Sequence, residues 1–163
     1  MSFDSEIGPG EDYERYLVDR FQSEGVSVSR YTTRADQFAY GDLCLGVHGD
    51  GATGVEVKHD KQFHRTGNCF IEIAAKHRPT DPIYLPGGLN SSANWSLLWI
   101  GDYRDLRIFR RQDLIEWLDS DRCLVFEIAG RTSQGFLLSA QQIDSLAVGR
   151  RHWPDRRPLG GYV

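Results

Sequence analysis

An α/β domain around a central mixed sheet is the fold class that this sequence predicts, and three observations carry it. A helical stripe opens the chain, with Tyr13, Leu17 and Phe21 recurring four residues apart. Short antiparallel strand segments follow, separated by glycine turns. Mixed strand and helix patterns complete the chain, an order that belongs to an α/β or α+β domain.

The first helix covers residues 11 to 24. Tyr16 widens its apolar stripe, Glu11 and Asp12 suit its positive N-terminal end, and Gly25 stands at the C-cap. Residues 26 to 31 alternate valine and serine, as a half-buried strand does. Residues 42 to 47 and 55 to 58 are the next two strands. The turn His48-Gly49-Asp50-Gly51 joins them as an antiparallel hairpin. Residues 69 to 74 follow the Thr66-Gly67-Asn68 turn as a fourth strand. The polar, Pro/Gly-rich loop 78 to 92 is a mobile or a substrate-facing connection.

Residues 95 to 100 and 106 to 109 form a second hairpin through Gly101-Asp102. Residues 113 to 118 make a short helix with Leu114, Ile115 and Leu118 inward. Residues 124 to 128 and 135 to 138 are short strands. Ser139 with Gln142 is a capping box that opens a last helix to about residue 148. The chain therefore divides into one domain over residues 1 to 149 and an Arg-rich, poorly ordered tail over 150 to 163. Two prolines and two adjacent glycines leave that tail without periodicity.

With 163 residues, 40% apolar and 26% charged, the composition is that of an ordinary globular domain. No apolar run approaches the ~20 residues of a membrane span. The opening Met-Ser-Phe-Asp-Ser-Glu lacks the basic and apolar regions of a signal peptide. Cys44, Cys69 and Cys123 show no C-x-x-C spacing, which argues against disulfide or zinc frameworks and fits a reducing cytoplasm. A net charge of −4 repels nucleic acid on average. Its distribution is uneven, because Lys58, Lys61, Arg65, Lys76 and Arg78 cluster against only Asp60 and Glu72. Such a basic strip on an acidic body suits a phosphate backbone.

The chemistry centres on Glu56-Val57-Lys58. Two residues apart on a strand, Glu56 and Lys58 leave the same face, while Val55 and Val57 turn to the core. Asp42 opens the neighbouring strand and comes within about 5 Å of Glu56 if the hairpin register aligns them. With Glu14 from the first helix, three carboxylates and one lysine leave excess negative charge, which a Mg²⁺ ion offsets through oxygen ligands. The backbone carbonyl of Val57 is a further ligand candidate, and Lys58 would orient the attacking water or steady developing charge.

Glu56-Val57-Lys58, Asp60, Thr66-Gly67-Asn68 and Glu72, with Asp42 and Glu14 upstream, resemble the PD-(D/E)XK nuclease superfamily. The likeness is greatest to its small phage-type and Holliday-junction-resolvase-like members, and it runs from about residue 11 to residue 147. The proline that names the motif is absent, since Tyr40-Gly41 precede Asp42. The resemblance implies a restriction-endonuclease-like core whose central mixed β-sheet is flanked by helices. It also implies a Mg²⁺-dependent deoxyribonuclease (Mn²⁺ substituting) whose partner is DNA and which often works as a homodimer. Glu14, Asp42, Glu56 and Val57 would hold the metal, with Lys58 beside them. Lys61, Arg65, Thr66 and Asn68 would touch the substrate backbone.

Alternatives stand beside several of these residues. Glu11 competes with Glu14, and Asp36 is the reserve for Asp42. Glu72 either supports the site from behind its direct ligands or faces water. Thr66-Gly67-Asn68 also reads as an ordinary turn. His59 and His64 flank Asp60 but match no zinc spacing. Trp153 stands out as an anchor for a partner. The competing functional class is a catalytically inactive nucleic-acid-binding or assembly protein that keeps the nuclease fold.

Overall fold

The computed structural model describes residues 9–47, 51–128 and 132–154; His48, Gly49 and Asp50 of the predicted turn lie outside them. Helix α1 (Pro9–Ser23) buries Tyr13, Tyr16, Leu17 and Phe21. Its stripe lies against a six-stranded sheet, where Val28, Leu43, Val55, Trp99 and Leu106 complete an apolar cluster. The expected helix and its buried face are thus present.

Three strands follow, interrupted by a helix: β1 (Val28–Arg30), α2 (Arg34–Tyr40), β2 (Leu43–Leu45) and β3 (Thr53–His59). Strands β2 and β3 pair antiparallel with Leu43 opposite Val55, as the glycine turn predicts. Helix α2 went unpredicted because none of its residues is buried, so it carries no apolar period.

The chain then leaves this sheet through α3 (Phe63–Thr66), β4 (Cys69–Ala75), β5 (Leu85–Pro86) and a 3₁₀ turn at Gly88–Asn90. It returns as β6 (Leu97–Gly101), parallel to β3, and that pairing needs such a crossover. Strand β7 (Asp105–Arg110) closes the second predicted hairpin, and α4 (Arg111–Leu118) follows it directly. The remaining elements are β8 (Phe126–Glu127), β9 (Ser133–Leu138), α5 (Ala140–Leu146) and β10 (Gly149–His152). Both halves of the Ser139–Gln142 capping box are made.

The central sheet is mixed, in the order β1-β2-β3-β6-β7-β10. A second sheet, β5-β4-β9-β8, covers the face opposite α1. Ile71, Phe136 and Leu138 from it meet Leu98, Ile100 and Phe109 of the central sheet, with Leu114 of α4 and Ile143 of α5 closing the layer. The sequence foresaw the strand at β4 but not this separate sheet.

The tail assignment is corrected for its first residues. Gly149–His152 pairs antiparallel with β7, so residues 150 to 152 are a sheet edge. Trp153 is 7% exposed within the α1 cluster, where its ring meets Tyr16 and Phe21 edge-on. It is a core residue, and burial explains it without a partner. Arg151 pairs with Glu24 at 3.0 Å. Residues 155 to 163 lie outside the described residues. No described helix is long and apolar enough to cross a membrane.

Candidate active site

Glu14 lies on the buried side of α1, three residues before Leu17, and is only 8% exposed. A carboxylate in that position needs a partner. Arg30, the last residue of β1, supplies one, its Nε donating to Glu14 Oε2 at 3.1 Å. Arg30 pairs in the sheet with Leu43, which brings the ion pair beside the start of β2.

Asp42 is placed there by Gly41. At φ 94° this glycine ends α2, and a Cβ on it would stand 2.9 Å from the Val55 carbonyl oxygen, so the turn onto the sheet requires glycine. The Asp42 amide donates to the Val55 carbonyl at 2.8 Å. One step further, the Val57 amide donates to Asp42 Oδ2 at 2.8 Å. The carboxylate thus takes the role that the backbone of β2 would have played. Within an extended strand the N–H and C=O of one residue leave the same edge. The Val57 carbonyl therefore also points to the edge that Asp42 occupies.

Asp42 precedes, and Glu56 follows, the Leu43–Val55 pair, so the register aligns the two as the sequence anticipated. The three carboxyls act on one another. Burial, then the Asp42 charge, pushes Glu14 from its ordinary 4.5 up to about 7, against the pull of Arg30. Burial first, then Asp42 and Glu14, pushes Glu56 from 4.5 to about 8, against Arg111 and Lys58. Asp42 is raised by burial and held down by the Val57 amide, a hydrogen bond to Glu14, and Arg30. Each of the three carboxyls is therefore easier to protonate than an exposed one, because burial and mutual repulsion disfavour the charged form.

Two clefts meet at Glu56. One, of about 130 Å³, is bounded by Glu56, Lys58, Phe70, Glu72, Gly88 and Trp95. Lys58 Nζ stands 5.7 Å from the Phe70 ring centroid in it, and Glu72 accepts the Ser133 hydroxyl at 2.6 Å. Glu72 thus lines the Lys58 cleft and is held in place there. The other cleft, of about 320 Å³, is bounded by Arg34, Phe38, Asp42, Glu56, Ser92 and Ala93.

Sequence reading missed Arg111, which shapes the wall of both clefts. Its guanidinium donates to the carbonyls of Leu89, Ser91, Ala93 and Trp95 at 2.7–3.2 Å and lies 4.2 Å from the Trp95 ring centroid. Because those acceptors are neutral, its charge is left to act on Glu56. No local pattern marks it; an arginine between a strand and a helix reads as surface.

The proposed backbone-contact residues are placed apart from the carboxylates. Lys61 borders a different cleft with His59, His64 and Asp102. Thr66 Oγ1 donates to the Gln62 carbonyl and accepts the Asn68 amide at 3.2 Å, and Gly67 adopts φ 70°. These contacts are those of an ordinary turn. Arg65 is exposed on α3. The basic strip is partly neutralised, since Lys76 pairs with Glu127 at 3.7 Å. Asp36, the reserve for Asp42, gives its amide to the Thr33 cap of α2. Among the described residues no three His, Cys, Asp or Glu side chains form a ready metal cluster. Glu14 is turned to Arg30 and Asp42 to the Val57 amide instead.

No protein-family model matches the chain, and no curated protein matches it in sequence. Among solved structures, it is similar to a bacterial homing endonuclease, with a TM-score of 0.52, 14% identity and 85% of each chain covered. At that identity the likeness is one of fold, and it bears out the expected mixed sheet flanked by helices.

Proposed function

We propose that the chain is a Mg²⁺-dependent endonuclease that hydrolyses DNA phosphodiester bonds. The observation that carries this reading is the meeting of Asp42, Glu56 and the Val57 backbone edge, with Lys58 on the Glu56 face. The fold likeness to a protein described as a homing endonuclease supports it.

The residues fit a hard cation. Two carboxylates and a backbone carbonyl are the oxygen donors that Mg²⁺ takes from protein, leaving its other positions to water and phosphate. Mn²⁺ takes the same donors. Glu14 is a third carboxylate, close enough to Asp42 for the two to raise each other's cost of ionising, and it is paired with Arg30. When bound, the ion supplies polarisation of the phosphate and a lowered pKa for an adjacent water.

The chain's own groups do the rest. Asp42, fixed by the Val57 amide, and Glu56, once deprotonated, orient the oxygens at the strand edge. Lys58 reaches the same cleft as Glu56, where its ammonium donates to a water or a phosphate oxygen and steadies developing negative charge. Arg111 keeps the 89–95 segment in place as a wall of both clefts. Lys61 and Arg65 remain proposed contacts to the phosphate backbone, which position DNA without reading its sequence. A homodimer would supply two sites for two strands, an inference from fold analogy. Substrates in recombination, repair or phage replication, including junction and branched DNA, fall within this reading.

Supercoiled plasmid, single-stranded circles and a four-way junction, each incubated with Mg²⁺, Mn²⁺ or EDTA, test it. Cutting with either metal and none in EDTA is expected. DNA binding without cutting in either metal would overturn the assignment in favour of an inactive nucleic-acid-binding protein of the same fold.

A further inference from the structure

Helix α2 is the element that folding explains least. None of its residues is buried, and Phe38 on it is 69% exposed. The helix is nevertheless tied down: the Thr33 hydroxyl caps it, Gln37 Nε2 donates to the Tyr31 carbonyl at 2.9 Å, and Gly41 ends it. Arg34 lies over the Phe38 ring, 5.5 Å from its centroid. Both side chains border the larger cleft, whose other wall holds Asp42 and Glu56. A solvent-facing aromatic ring on a tethered helix, with a guanidinium on it, thus borders the cleft of the carboxylates.

Exposed aromatic rings beside a nucleic-acid backbone take up unstacked bases, and every base offers a π-face to them. A paired base keeps that face inside its stack. We propose that Phe38, backed by Arg34, is a stacking platform for an unpaired base next to the scissile phosphate that a cation at Asp42 and Glu56 would hold. The substrate is then DNA with a single-stranded segment at the cut. This inference rests on the nuclease reading of the site and names its substrate class. Arg34 adds a phosphate contact to a cleft that is otherwise acidic.

The test uses forked and fully paired DNA carrying 2-aminopurine at the strand-separation point, in Ca²⁺, with the DNA checked on a gel for intactness. Wild type is expected to bind forked DNA more tightly and to quench the probe. Phe38→Ala is expected to lose about tenfold or more in forked-DNA affinity, together with the quenching, and to bind paired DNA unchanged. Phe38→Trp is expected to restore both properties. Wild type that does not prefer forked DNA, or Phe38→Ala that binds it normally, overturns the platform. Phe38→Ala that weakens paired and forked DNA alike also overturns it. The two readings fail separately. Phe38-dependent quenching with no metal-dependent cutting removes the nuclease and keeps the platform. Lys58-dependent cutting that ignores both Phe38 and strand pairing does the reverse.

Discussion

Lys58→Ala is expected to cut DNA about 100-fold to 1000-fold more slowly than wild type in Mg²⁺, with metal binding retained. The magnitude is that of removing one donor aimed at transition-state charge. The expectation follows from Lys58 sharing the Glu56 cleft, on a strand whose Val55 lies in the α1 core cluster and whose Val57 packs against it. Glu56→Gln is expected to lose at least as much, because it removes a cation ligand and a charge while keeping the side-chain shape. Glu14→Gln should be milder, since its carboxylate is already turned to Arg30. Single-turnover cleavage with matched thermal midpoints separates these effects from misfolding. A Lys58→Ala protein that cuts at the wild-type rate would remove the lysine from the mechanism.

The second large effect is on stability. Without divalent metal, the protein is expected to become less stable as pH rises from about 5 to about 8. Glu14 and Glu56 have folded-state pKa values of about 7 and about 8, against 4.5 as their ordinary value. Between those limits the folded state binds more protons than the unfolded state, so stability falls with rising pH. Each unit of raised pKa corresponds to about 1.4 kcal/mol. Because the groups interact, their contributions do not add, and the combined loss is on the order of 3 kcal/mol. For a chain of this length that is roughly 6–12 °C in Tm. Glu56→Gln should flatten the slope, and Mg²⁺ at pH 8 should raise the wild-type midpoint toward its pH 5 value by offsetting the charge. Thermal melts across pH, compared between wild type and Glu56→Gln, check this. Parallel curves would show that Glu56 is not the group that titrates.

What was legible in the sequence was what local pattern encodes. The α1 stripe and the Asp42–Glu56 hairpin follow from spacing and glycine placement, and both are in the structure. Strand alternation, however, does not say which strands pair, so the joining of β4 to β9 in a separate sheet was invisible. Strand β10 was missed because Arg150 and Arg151 read as a solvated tail, although pairing with β7 needs only backbone. Arg30 and Arg111 escaped notice because their partners are remote in sequence: Glu14 is 16 residues from Arg30, and the Leu89 carbonyl is 22 from Arg111. Helix α2 lacks a buried residue altogether, so no periodicity could reveal it.

The central claim is that Asp42, Glu56 and the Val57 carbonyl edge hold a divalent cation beside Lys58. Titration of Mn²⁺ into the protein at pH 8, followed by the loss of free-ion electron paramagnetic resonance signal, tests it most directly. Wild type and Lys58→Ala are expected to bind Mn²⁺ alike, while Asp42→Asn and Glu56→Gln weaken binding by about tenfold or more. Equal Mn²⁺ affinity in wild type, Asp42→Asn and Glu56→Gln would contradict the account.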